Sequence, residues 1–139
     1  MRYSQINNQL FVQNRKRLVK ELKPASVAVF NANDIMPTNA DGTMRFRQNS
    51  DLFYLTGVDQ EETILVICPN YPDKKLREVL FLRETNEQIA TWEGHKLTKA
   101  EAHEVTGIET ILWTSDFHRV FNTMMVMGGV ENVYLNTNE

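Results

Sequence analysis

Apolar positions first recur at helical spacing. Leu10, Phe11, Leu18, Val19 and Leu22 share one face of a segment that Ser4 can cap, and the predicted helix runs to about Glu21 before Lys23-Pro24 stops it. Val27-Ala28-Val29-Phe30 is instead a short continuous apolar run, as in a strand covered on both faces. Asn31 to Thr43 turns polar around Pro37 and Asp41-Gly42 and is expected to be a loop. Leu52 to Thr56 is predicted as a second strand ended by Gly57, and Glu62–Cys68 and Glu78–Leu82 as the strongest strands. Pro69 to Arg77 between them holds two prolines and an asparagine, so an antiparallel hairpin is the simplest connection.

After Arg83 the periodicity lengthens. Glu84 to Thr91 is ambiguous between helix and loop, and Glu93-Gly94 breaks it. Thr98 with Glu101 three residues later forms a capping box, and Gly107 is placed to close that short helix. Glu109–Trp113 is a brief strand, Ser115 caps a helix through Met127 before Gly128-Gly129, and Asn132–Leu135 is a last strand. Helices interleaved with hairpin-linked and isolated strands predict an α/β fold: one domain over residues 1–139, a mixed β-sheet with helices packed on both faces.

Composition narrows the class. The 139 residues are 42% hydrophobic and 24% charged, which excludes a disordered or disulfide-scaffold chain. No apolar run approaches the ~20 residues a membrane helix needs, and the first eight residues lack a signal peptide's apolar stretch. The net charge of −3 argues against nucleic acid as a partner. The one basic cluster, Arg15-Lys16-Arg17 with Lys20 and Lys23, is expected to be the wet face of the first helix. The single Cys68 lies in an apolar run and is expected to be a small buried hydrophobe, in keeping with a reduced, cytoplasmic setting.

Candidate chemistry is sparse. There is no Gly-rich phosphate loop, paired CxxC, HExxH or GxSxG. His95, His103 and His118 have no metal-ligand spacing, and Glu84/Glu87 and Glu101/Glu104, each one helical turn apart, are more simply solvated charges than a metal site. Met124-Met125-Val126-Met127, on a helix with Phe117, Val120 and Phe121, reads as core. Trp92, beside a glycine, is the exception: a large aromatic there is a candidate contact for a substrate or a partner subunit. Arg47 and Asp51 can pair with each other or with Asp41, pinning the polar loop to the segment after it.

That last stretch is also the most distinctive. Phe46-Arg47-Gln48-Asn49-Ser50-Asp51, followed by Phe53-Tyr54-Leu55-Thr56-Gly57, resembles the N-terminal domain signature of Xaa-Pro aminopeptidases (aminopeptidase P) in the creatinase/prolidase family. The basic first helix, the strand near Val27, Asn39-Ala40-Asp41, the hairpin after Gly57 and Trp92-Glu93-Gly94 follow in the family's order, with Leu52 a departure where relatives commonly carry an aromatic. The resemblance implies a non-catalytic domain, with a pita-bread catalytic domain C-terminal to it. That domain binds two divalent metals, usually manganese, through two aspartates, a histidine and two glutamates. None of these ligands falls within this chain, so it would carry no metal or catalytic residue of its own and be inactive alone. By the same resemblance the domain builds a homo-oligomer, Trp92 walls the pocket for a proline-containing peptide and Asp41 helps close it across a subunit interface. The alternatives are the N-terminal domain of a prolidase- or creatinase-type enzyme, and a stand-alone module that binds peptide or protein.

Overall fold

A computed structural model describes residues 6–33, 47–86, 88, 89, 91 and 96–136. Helix α1 spans Gln9–Glu21, beginning after Asn8; the predicted cap Ser4 lies outside the described residues. Its extended C-cap Leu22 precedes Lys23-Pro24, in keeping with the rule that a helix ends at or before the residue preceding a proline. Strand β1 (Ser26–Asn31), β2 (Ile64–Ile67), β3 (Glu78–Leu82), β4 (Thr110–Trp113) and β5 (Asn132–Leu135) form one sheet in the order β4-β3-β2-β1-β5. β2 runs antiparallel to both β1 and β3, while β4 is parallel to β3 and β5 is parallel to β1. The mixed sheet and the β2–β3 hairpin are therefore as predicted.

Period-2 alternation splits the core into two layers. Ala28, Leu65, Ile67, Leu80 and Leu82 face α1, α2 (Ser50–Thr56) and α3 (Lys99–Thr106). Val27, Val29, Val66, Val79 and Phe81 face the opposite way, where Val120 and Met124 of α4 (Phe117–Met127) cover them. Helices thus lie on both faces, three against one among the described residues. Cys68 is buried in the α4-side layer and its thiol pKa is pushed up by burial, so it is the small hydrophobe expected.

Four expectations are corrected. Leu52–Thr56 is helical: the Asn49 side chain accepts from the amides of Asp51 and Leu52, and Gly57 closes α2 in the left-handed conformation (φ 74°). Leu52, Leu55 and Thr56 are buried, a spacing that suits a helix face and not a strand. Ser115 falls inside a 3₁₀ turn (Thr114–Asp116), so α4 starts at Phe117 with no side-chain cap. Of the Met-rich stretch, Met124 and Met125 pack inward, whereas Val126 and Met127 are exposed.

The fourth correction is Arg15. Lys16, Arg17, Lys20 and Lys23 are exposed as predicted, but Arg15 is 1% exposed. Its Nε donates to Glu78 at 3.0 Å, and its two terminal nitrogens donate to the carbonyls of Leu55 and Thr106, both at 2.8 Å. Helices α2 and α3 end alike, in Leu55-Thr56-Gly57-Val58 and Val105-Thr106-Gly107-Ile108, each threonine hydroxyl donating four residues back and accepting from the amide two residues on. One guanidinium thus caps two helix C-termini, where orphan carbonyls favour a cation. Asn14 Nδ2 donates to Tyr54 O and Asn8 Nδ2 to Glu104 O, so α1 supplies both ends with further donors.

Candidate functional site

The chain segments that carry Asp41 and Trp92 depart from one end of the sheet. Because β2 is antiparallel to both neighbours, β1 and β3 point the same way, and their C-terminal ends lie beside the start of β2. Asn31, Ile64 and Phe81 form a row across the three strands. At ordinary strand spacing the departure points are about 10 Å apart. Asp41 follows β1 and Trp92 follows β3; both lie outside the described residues, as does His95.

The residues around these departures form a polar joint. Ala32 N donates to Thr63 O, holding the chain after β1 against the start of β2. Asn33, Gln48, Asn49, Gln60 and Thr63 are all buried. Asn33 Nδ2 donates to Arg47 O, and Asn49 Nδ2 to Asn33 Oδ1, so the two ends of the Asp41 segment are tied to each other. Gln48 Nε2 donates to Val58 O at 3.0 Å and Gln60 O at 2.9 Å, fastening the returning end to the approach to β2. Gln60 Oε1 in turn accepts from Leu97 N at 2.9 Å, fastening the returning end of the Trp92 segment to the same residue.

Charges reinforce the joint on the Trp92 side. Lys96 Nζ lies 2.6 Å from Glu61 Oε1, and Arg83 reaches Glu61 at 3.8 Å and Glu62 at 3.6 Å. Desolvation pushes the Glu61 carboxyl pKa up, but the Lys96 hydrogen bond and the charges of Lys96 and Arg83 outweigh it, so the net shift is below the ordinary value. Glu61 thus bridges both sides of the Trp92 segment as a carboxylate.

Among the described residues no ion pair joins Arg47 and Asp51, and the alternative pairing with Asp41 lies outside them; the side-chain amides of Gln48, Asn49 and Asn33 tie the ends of the loop. His103 Nδ1 contacts Ile108 O, and His118 stacks edge-on with Phe117. Among the described residues no three His, Cys, Asp or Glu side chains converge as a metal-ligand set. No metal-dependent step is assigned to these described residues. The sequence pattern gave no signal for Gln60 and Glu61, which sit at the mouth of a predicted strand and look like its polar edge.

Comparison with known proteins places this geometry in a family. The profile described as "Aminopeptidase P, N-terminal domain" matches residues 11–134. The chain belongs to that family. It is 30% identical over 131 residues to the Xaa-Pro aminopeptidase of Escherichia coli, covering 94% of this chain and 29% of that protein. The aminopeptidase PepP of Pseudomonas aeruginosa superimposes with a TM-score of 0.80 at 25% identity, over 94% of this chain and 29% of that one. A zinc-substituted Escherichia coli aminopeptidase P in complex with product gives a TM-score of 0.77 at 30% identity, over 94% and 29%. The chain thus spans less than a third of each relative's length. No helix among the described residues is long and apolar enough to cross a membrane.

Proposed function

We propose that this chain is the non-catalytic N-terminal domain of a cytoplasmic, metal-dependent Xaa-Pro aminopeptidase, which removes the first residue of peptides whose second residue is proline. Its partners are its own C-terminal catalytic domain, the peptide, and further copies in a homo-oligomer. The catalytic domain holds the two divalent metals, manganese by family resemblance, while this domain supplies oligomer contacts and part of the pocket wall through Trp92 and Asp41. What supports this reading is family membership, joined to one observation: the segments bearing Asp41 and Trp92 leave the same end of the sheet, about 10 Å apart at ordinary strand spacing. Two side chains carried from one edge are suited to facing one ligand.

The test is kinetic. In the full-length protein, Trp92→Ala is expected to raise KM for an Xaa-Pro peptide several-fold, leaving bound metal unchanged, because it removes an aromatic contact but no ligand. Unchanged KM and kcat would remove Trp92 from the pocket. The 139-residue chain alone, supplied with manganese, is expected to show no turnover; hydrolysis scaling with its concentration would refute the non-catalytic assignment.

A further inference from the structure

The joint between the two departing segments converges on one residue. Gln60 accepts from Gln48 through its backbone carbonyl and from Leu97 through its side chain, so the returning ends of both segments meet at a single position. Gln60 O also accepts from the Thr63 hydroxyl at 2.8 Å. Two costs accompany this arrangement. Gln60 Nε2 is buried with no acceptor among the described residues, so its desolvation is left uncompensated. The accepted bond from Leu97 N–H fixes which end of the amide is oxygen, so a flip does not relieve it. Two residues on, Glu62 holds a left-handed backbone (φ 56°), an uncommon state for a residue with a side chain.

Leucine or methionine would fill this buried position without the unpaired Nε2 donor, at the loss of the acceptor for Leu97 N–H. A half-satisfied amide beside a left-handed turn is a local cost, of the kind that accumulates where geometry serves function. We infer that Gln60 is a positioning residue for the peptide-binding wall: by tying Gln48 and Leu97 to one point, it sets the spacing between the segments that bear Asp41 and Trp92. Glu61 assists by holding Lys96 and Arg83 on either side of the Trp92 segment. This rests on the pocket-wall reading of Asp41 and Trp92, and it acts through them without contact between Gln60 and the peptide.

Gln60→Met keeps the length of the side chain and the backbone acceptor but removes the acceptor for Leu97 N–H. In the full-length enzyme it is expected to raise KM for an Xaa-Pro peptide about 5- to 10-fold with kcat within twofold of the parent, since wall geometry and not the reacting centre is altered. A second readout does not depend on activity. The chain has two tryptophans, so in a Trp113→Phe background Trp92 alone reports. Gln60→Met in the 139-residue chain is then expected to change the acrylamide quenching constant of Trp92 by at least 1.5-fold. Unchanged quenching, or a lower kcat with unchanged KM, overturns the proposal, as does a lower melting temperature with both readouts unmoved. If the full-length protein does not cleave Xaa-Pro peptides, the pocket reading fails, while quenching still decides the joint. Should Gln60→Met not fold, Lys96→Met cuts the Glu61 side alone and is expected to move KM and quenching the same way by about twofold; no movement refutes the joint.

Discussion

Replacing Arg15 by methionine tests the least expected feature of the core. The guanidinium is 1% exposed and makes charge-assisted bonds to two helix-end carbonyls and to Glu78. Burial lowers the pKa of Arg15, opposed by the charge and hydrogen bond of Glu78, so desolvation is a real cost of keeping it there. Hydrogen bonds to charged groups contribute about 1.5–3 kcal/mol each. Methionine recovers part of the packing and none of the bonds, and it leaves the carbonyls of Leu55 and Thr106 without this donor. Glu78 is 36% exposed and returns to water at little cost. Breaking such a buried pair costs about 3–5 kcal/mol, and about 4 is expected here. With a urea m-value of about 1.5 kcal/mol/M, the unfolding midpoint falls by about 2.7 M at unchanged m. Lys16→Met, one position along on the exposed face, is the control and is expected to lie within about 0.5 kcal/mol of the parent. An Arg15→Met protein as stable as the control would refute the argument, because buried ion pairs replaced by apolar side chains are neutral where desolvation outweighs the bonds.

Two further predictions follow from the same geometry. Gly57 is left-handed (φ 74°) and an added Cβ would stand 2.4 Å from Phe11 Cε2, whereas Gly129 (φ 58°) has nothing within 4 Å. Gly57→Ala is therefore expected to cost about 3 kcal/mol and Gly129→Ala about 1 by chemical denaturation; equal costs would mean the Phe11 ring moves freely aside. The carboxyl of Glu61 has its pKa depressed on folding, so its contribution is present in full above the ordinary glutamate range and lost as pH falls through the lower folded value. Glu61→Gln is expected to flatten this acid limb of the stability curve by about 1 kcal/mol. An unchanged limb would show that Lys96 and Arg83 do not favour the charged form.

Glu78–Leu82 was legible because burial on both faces writes itself as a continuous apolar run, and the half-exposed edge strand Asn132–Leu135 is likewise found at its predicted limits. The capping box at Thr98 and the stop at Gly107 were equally local and equally readable. Leu52–Thr56 misled because five largely apolar residues before a glycine suit either element, and the deciding contact is the side chain of Asn49 folded over the amides of Asp51 and Leu52. Arg15 was unreadable for another reason. Its partners lie 40, 63 and 91 residues away, and a basic triplet on a helix gives no sign that one member turns inward. Gln60 shares that difficulty, since its role comes from where two distant segments return. The role proposed for Asp41 came only through family resemblance, whereas Trp92 also stood out as a large aromatic near a glycine, and both residues lie outside the described structure.

The parallel pairing of β5 with β1 has a kinetic consequence. Ser26 lies opposite Asn132, so this edge of the sheet closes only after more than a hundred further residues have been made, while β1, β2 and β3 are joined by much shorter connections. Entropy is spent on closing that long loop before its contacts repay it, which slows folding. The strand itself returns little, with Val133 and Leu135 48% and 70% exposed. On a ribosome, the antiparallel centre can assemble early and wait, with the flank of β1 open until the last strand emerges.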